Sequence, residues 1–303
     1  MKKYITYFIF ISIAFLIFAL IKADYLIIPN IVSPGNLIIS FIILFIGFLF
    51  DNLSWHRTLR AMGKPISFKN AIISGGLSVF GKYIPGKVWT IAGRSAYVAK
   101  EYNYNEKETV NISLQAEIIS IWTGFILGSF ALFLLENPGI MLVFSLGMVV
   151  FLGLVILWDL PHALFTRLLK LIFKKEFNFP LIELKQVLII MPWFIIKWFL
   201  FGFSFWFLSK GLAIIDFPWY LGMCFPLAGT IGIISIIMPG GIGVREGIIS
   251  WYLSSIGLGI AISATIGVAS RLWFLSGELF IFLLSIIMRF TKKRSSDDSK
   301  PEP

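Results

Sequence analysis

The sequence predicts an all-α polytopic membrane protein: about six transmembrane helices plus two re-entrant helical hairpins, with the two halves related as an inverted repeat. Three observations lead there. Of the 303 residues, 58% are hydrophobic and only 14% charged, a balance suited to lipid rather than water. Six apolar runs, centred on residues 5–22, 37–56, 109–135, 140–158, 186–209 and 261–288, are long enough to cross a bilayer as helices. Two further apolar regions, 70–99 and 218–256, are interrupted near their middles by Pro85-Gly86 and by Pro239-Gly240-Gly241, where a regular helix cannot continue.

The elements follow in order. Run 5–22 comes after Lys2 and Lys3, as the core of a signal peptide would, but it lacks a small-x-small cleavage pattern and leads into more spans. It therefore reads as a retained first helix. In region 70–99 the arm before Pro85 would be about 22 Å long as a helix, reaching past the middle of a core about 30 Å thick without crossing it. That length suits a re-entrant hairpin, with two tightly joined spans or one kinked span as the alternatives.

Charge bias favours the hairpins. Lys2 and Lys3, then Arg57, Arg60, Lys64 and Lys69, then Arg167, Lys170, Lys174 and Lys175, and finally Arg289, Lys292, Lys293 and Arg294 all fall on one side if each hairpin returns to its own face. The opposite loops, around Asp24, Glu136 and Asp216, carry few basic residues, so both termini are expected in the cytoplasm. The first hairpin then enters from the cytoplasm and the second from the outer face, and their Pro-Gly turns approach one another near the midplane. A basic amphipathic stretch, 163–177, is expected on the inner membrane surface, and 291–303 forms a polar cytoplasmic tail.

An offset of 154 residues superposes Pro85-Gly86 on Pro239-Gly240, Gly75 on Gly229 and Gly93 on Gly247. It also carries span 37–56 onto 191–210 and span 109–135 onto 263–289. The chain therefore reads as a single membrane domain, 1–290, with halves of about 1–137 and 138–290 in opposite orientation. The first run fits less well, because its image falls on 159–176.

Composition also excludes some functions. The net charge of +10 gathers at the ends of apolar runs, where it sets orientation, so nucleic acid is not an expected partner. One cysteine, Cys224, and two histidines, His56 and His162, support neither a metal centre nor a Cys/His nucleophile, and no cofactor is expected.

The chemistry points to the charges inside the spans. A helix that begins just after a midplane Pro-Gly turn aims unpaired N–H groups into the membrane, and these attract anions. Arg94 stands about two turns beyond Gly86 and Arg245 about one turn beyond Gly241, so a phosphate headgroup fits between them. Lys82 and Lys87 flank the first turn and either guide a headgroup inward or snorkel to the interface. Glu246 calls for an ion pair with another segment, Arg94 or Arg271. Glu117 and Arg271 occupy equivalent repeat positions and are either partners or braces of the hairpins. Lys197, central in the fifth span, needs a carboxylate such as Glu278, a water cavity or a bound anion. For all these charges the alternative to a substrate role is a structural pair that holds the hairpins in place. Gly124-x-x-x-Gly128 and Gly243-x-x-x-Gly247 read as helix-packing seams.

These residues resemble the transmembrane flippase-like domain of lysylphosphatidylglycerol synthases. The resemblance rests on Gly81-Lys82-Tyr83-Ile84-Pro85-Gly86-Lys87-Val88-Trp89 with Gly93-Arg94, and on Pro239-Gly240-Gly241-Ile242-Gly243-Val244-Arg245-Glu246-Gly247 with Arg271. It covers essentially residues 1–290, and the first motif departs in having Lys87-Val88-Trp89 where a glycine-rich run is expected. The resemblance implies a bacterial inner-membrane protein, without the soluble synthase domain, that moves an anionic phospholipid or lipid-linked envelope precursor. Arg94, Arg245, Glu246 and Arg271 would lie at its centre. A non-transporting component of an envelope lipid or polysaccharide pathway, partnered by its biosynthetic proteins, and an integral-membrane transferase are the alternatives.

Overall fold

The computed structural model describes residues 30–84, 89–173, 180–214, 218–235 and 239–297. Among them lie ten α-helices and no strand. They are α1 (Pro34–Ala61), α2 (Phe68–Ser78), α3 (Trp89–Tyr102), α4 (Glu106–Phe133), α5 (Gly139–Leu157), α6 (Asp159–Phe173), α7 (Leu184–Leu212), α8 (Cys224–Ile234), α9 (Val244–Ser255) and α10 (Ile260–Asp297). Short 3-10 segments extend α2 through Val79–Tyr83, lead into α8 at Trp219–Met223, and form the break Pro239–Gly241. The first expected span, 5–22, and the turn residues Pro85, Gly86 and Lys87 lie outside the described residues.

Five helices, α1, α4, α5, α7 and α10, are long and apolar enough to cross a membrane. They coincide with five of the six expected crossings. Their starts follow local chemistry. Pro34 occupies the first turn of α1, where its missing N–H leaves no bond unmade. Asn105 caps α4 by accepting from the N–H groups of Lys107 (2.9 Å) and Glu108 (3.3 Å), and Glu106 and Glu108 lie at the positive end of the helix dipole. Ser67 caps α2 by accepting from Asn70 N–H (3.2 Å).

The broken regions are pairs of short helices, α2 with α3 and α8 with α9, each packed on its mate. With Val79–Tyr83 included, α2 is still too short to cross a core about 30 Å thick comfortably. The order long, short, short, long therefore occurs twice, as α1 to α4 and as α7 to α10. The halves interlock: α1 packs along α7, α2 packs against α10, and α8 packs against α4. Glycines permit the two crossed contacts. A Cβ on Gly76 of α2 would lie 2.5 Å from Ile281 O of α10, and one on Gly128 of α4 would lie 2.6 Å from Leu227 Cβ of α8. Gly124 meets Thr230 and Trp198 in the same seam, as expected of Gly124-x-x-x-Gly128. Gly243-x-x-x-Gly247 is not a seam, since a Cβ at either position meets nothing within 4 Å. Gly243 instead supplies a positive φ of 82° at the start of α9.

Polar contacts gather at one end of the bundle. Lys292 of α10 bonds Glu101 of α3 and Asn70 of α2, and Lys64 pairs with Glu108 at 2.9 Å. Of the expected stretch 163–177, residues 163–173 are helical, and 174–177 lie outside the described residues. Trp158, in extended conformation, separates α6 from α5, and α6 leaves Leu160, Leu164, Leu168 and Leu171 exposed on one stripe.

Candidate functional site

The break between α8 and α9 is held by glycine. Gly240, Gly241 and Gly243 all have positive φ, and a Cβ on Gly240 would lie 2.6 Å from the Tyr83 ring. The two helix pairs therefore meet at their breaks, with Tyr83, two residues before Pro85, against Gly240. Around this junction five charges converge. Arg271, only 2% exposed, donates from Nη1 to Gly240 O (2.9 Å), lies 3.8 Å from Glu246 Oε1, and stacks its guanidinium 5.0 Å from the Tyr83 ring. Glu246 accepts from Gly243 N–H through Oε2 (2.8 Å), which fixes the start of α9. Glu278, fully buried, accepts from Tyr83 OH (2.8 Å) and pairs with Lys82.

Arg245 completes the group. Its guanidinium lies 5.3 Å from the Phe225 ring and 4.9 Å from that of Phe274, and Nη2 reaches Ser270 O at 3.4 Å. Its Nε and Glu246 Oε1 are buried without a hydrogen bond and face each other only as a 3.9 Å ion pair. Lys82, Arg245 and Arg271 thus stand against Glu246 and Glu278, and the junction carries one positive charge in excess. Arg271 and Glu278 sit in the middle third of Ile260–Lys292, a helix long and apolar enough to cross a membrane. Lys82 has the most exposed side chain of the group, at 30%, and marks its open side.

A second polar cluster lies between α1, α3, α4 and α7. Arg94 donates from Nε to Ser113 Oγ (2.5 Å) and from Nη2 to Ser113 O (2.8 Å). It also pairs with Glu117 at 3.5 Å and rests 4.6 Å from the Trp55 ring. Lys197 donates to Ser120 Oγ (2.5 Å), pairs with Asp51 at 3.3 Å, and lies 4.4 Å from the Trp198 ring. Among the described residues no group of His, Cys, Asp and Glu could hold a metal.

The helix order long, short, short, long, found twice among helices apolar enough to cross a membrane, fits an all-α membrane protein. The model of one family, described as the lysylphosphatidylglycerol synthase TM region, matches residues 5–288. The chain belongs to the lysylphosphatidylglycerol synthase TM-region family. No curated protein and no solved structure matches it. The family match runs through both breaks and both polar clusters, so it takes in every candidate residue.

In this family member Arg245, Glu246, Arg271 and Lys82 come together. Arg94 does not join them: Ser113, Glu117 and Trp55 hold it on its own half. Glu246 therefore meets Arg271, one of its two expected partners, and Glu117 meets Arg94 rather than Arg271. Lys197 finds Asp51 and Ser120, not Glu278, which Lys82 and Tyr83 occupy. Lys82 accordingly does not snorkel but turns inward to a carboxylate. Lys87 lies outside the described residues. Sequence reasoning missed Tyr83 and Asp51. An acid in the middle third of α1 was the available signal for Asp51, whereas a tyrosine among many aromatics gave none.

Proposed function

We propose that this chain is a membrane translocase for an anionic phospholipid or lipid-linked envelope precursor, working in a bacterial inner membrane with both termini cytoplasmic. The observation that carries the reading is the cation excess at the junction of the two helix pairs, where Arg245 Nε and Glu246 Oε1 are buried without hydrogen bonds. Burying a charge at this depth costs several kcal/mol unless something pairs with it. A phosphate or similar headgroup oxygen would pair with Arg245 and balance the excess. The start of α9 adds its dipole to the same attraction. In the proposed mechanism the two helix pairs approach from opposite faces, and rocking them about the shared junction exposes the headgroup to each leaflet in turn while its acyl chains stay in lipid.

Leaflet exchange of labelled phosphatidylglycerol and phosphatidylcholine in proteoliposomes tests this. Exchange by the unmodified protein that favours the anionic lipid and falls at least tenfold in folded Arg245→Ala supports it, since losing one buried charge-assisted contact is worth about 2–5 kcal/mol. Well-folded protein that exchanges neither these lipids nor a polyprenyl phosphate would refute it. The saturated Lys82–Glu278–Tyr83 triad favours a second reading, in which the junction only braces a non-transporting component of an envelope pathway or a membrane transferase. On that reading Glu246→Gln alters stability and no lipid moves.

A further inference from the structure

Two glycines leave the first turn of α9 open on one side. A Cβ on Gly243 or Gly247 would meet nothing within 4 Å, whereas one on Gly240 would meet the Tyr83 ring at 2.6 Å and one on Gly241 the backbone of Gly232 at 2.8 Å. Glu246 lies between the two open positions in the chain and binds Gly243 N–H through Oε2 (2.8 Å). That bond uses one carboxylate oxygen. The other, Oε1, is buried and accepts no hydrogen bond, although Arg271 Nη1 lies 3.8 Å away and Arg245 Nε 3.9 Å, both beyond hydrogen-bond reach. Arg245 Nε is itself a buried donor without an acceptor. An orphan acceptor and an orphan donor thus stand side by side on residues that are only 4% and 5% exposed.

The geometry points to a polyol phosphodiester as the headgroup class of the junction, with a phosphate oxygen on Arg245 Nε and a headgroup hydroxyl donating to Glu246 Oε1. This rests on the translocase reading and names the substrate chemistry of the same site. An acceptor needs a donor, and a buried carboxylate oxygen left without one is costly. The donor should be neutral, because an ammonium would enter beside two guanidinium groups that already face Oε1. The single positive charge in excess at the junction matches a phosphodiester, which carries one negative charge, where a phosphomonoester approaches about two. In an ester of glycerol or of a sugar the phosphate oxygens and a hydroxyl are only a few bonds apart. One headgroup can therefore satisfy two polar atoms that lie 3.9 Å from each other.

The neighbouring groups leave this role to Glu246. Glu278, the other acid of the junction, has one oxygen on Lys82 and the other on Tyr83 OH, so it offers no comparable acceptor. In the second cluster Arg94 is held by Ser113 and Glu117, and Lys197 by Ser120 and Asp51. Access comes from the open turn: Gly243 and Gly247 are both exposed, and a side chain at either position would occupy the space beside Glu246. Gly243 is needed for its positive φ of 82°, but Gly247 lies within regular helix, so a larger residue there fills the space without straining the backbone.

Two measurements test the inference separately from the translocase reading. In proteoliposomes, phosphatidylglycerol is compared with phosphatidylethanol, which has the same charge but no headgroup hydroxyl, and with phosphatidylethanolamine, whose donor is an ammonium. Phosphatidylglycerol is expected to exchange about tenfold faster than either, the effect of leaving a buried acceptor unpaired. Equal exchange of phosphatidylglycerol and phosphatidylethanol, or faster exchange of phosphatidylethanolamine, overturns the inference and leaves translocation standing. The second readout is binding and needs no transport. Purified protein in detergent is expected to bind dioctanoyl phosphatidylglycerol or a short isoprenyl phosphoryl hexose about tenfold more tightly than dioctanoyl phosphatidylethanol, and the tighter of the two identifies the polyol as glycerol or sugar. Glu246→Gln, which keeps an oxygen for Gly243 N–H and turns an amide to the headgroup, is expected to remove that preference. Gly247→Leu is expected to weaken binding of the polyol lipid several-fold with the thermal midpoint unchanged. If neither polyol lipid binds, or if both variants bind as the unmodified protein does, the inference fails whether or not lipid is exchanged.

Discussion

The two polar clusters each include an ion pair between a short and a long helix, and the signs are opposite. Between α3 and α4 the short helix carries the cation, Arg94, and the long helix the acid, Glu117. Between α9 and α10 the short helix carries the acid, Glu246, and the long helix the cation, Arg271. The first cluster is neutral with open carboxylates, and the second is positive with carboxylates that are almost fully buried. A recurring helix order therefore need not bring recurring electrostatics. One interface leaves its carboxylates partly exposed and the other encloses them.

The largest expected effect lies in the closed cluster. Arg271→Ala takes from buried Glu246 one of its two cations and from Gly240 O its donor, and should lower stability by about 3–5 kcal/mol, seen as a clear drop in the thermal midpoint of detergent-purified protein. A midpoint within a degree or two of the unmodified protein would show that the junction is not closed as described. Next comes Gly240→Ala, which meets the Tyr83 ring at 2.6 Å in a left-handed backbone and should cost about 1–3 kcal/mol. Gly247→Ala is its control: inside α9, with nothing within 4 Å, it should be neutral or slightly stabilising.

Smaller effects should sharpen the contrast. Lys197→Met leaves Asp51 less enclosed than Glu246 is, with 44% against 6% side-chain exposure, so the loss should be smaller than that of Arg271→Ala. Equal losses for the two would erase the distinction between open and closed clusters. Smallest of all, Glu108→Gln removes the exposed pair with Lys64 and should change stability by less than about 1 kcal/mol, and by less still in high salt.

Much of this was legible in the residue order. Apolar runs marked α1, α4, α5, α7 and α10, and Pro239-Gly240-Gly241 marked a break whose positive φ angles only glycine adopts easily. The offset of 154 residues carries α1 onto the stretch of α7 and α4 onto that of α10, and the helix order long, short, short, long recurs there. The pairing of charges was less legible. Arg94 was expected near Arg245 because both follow a break, yet the ring of Trp55 and the oxygens of Ser113, on other helices, hold it elsewhere. For Lys197 the sequence left open a carboxylate such as Glu278, a water cavity or a bound anion, and the acid it meets is Asp51, on the helix packed alongside.

The sequence by itself determined that this is a membrane protein, its five long apolar helices, the break at Pro239–Gly241 and its family, because hydropathy, helix interruption and motif identity are properties of neighbouring residues. Only the tertiary structure decided which acid meets which cation and which of them stays open. Those choices depend on how each helix is rotated about its axis and how closely it approaches its neighbours. Both are set by contacts between residues far apart in the chain, such as Gly76 on Ile281 and Gly128 on Leu227.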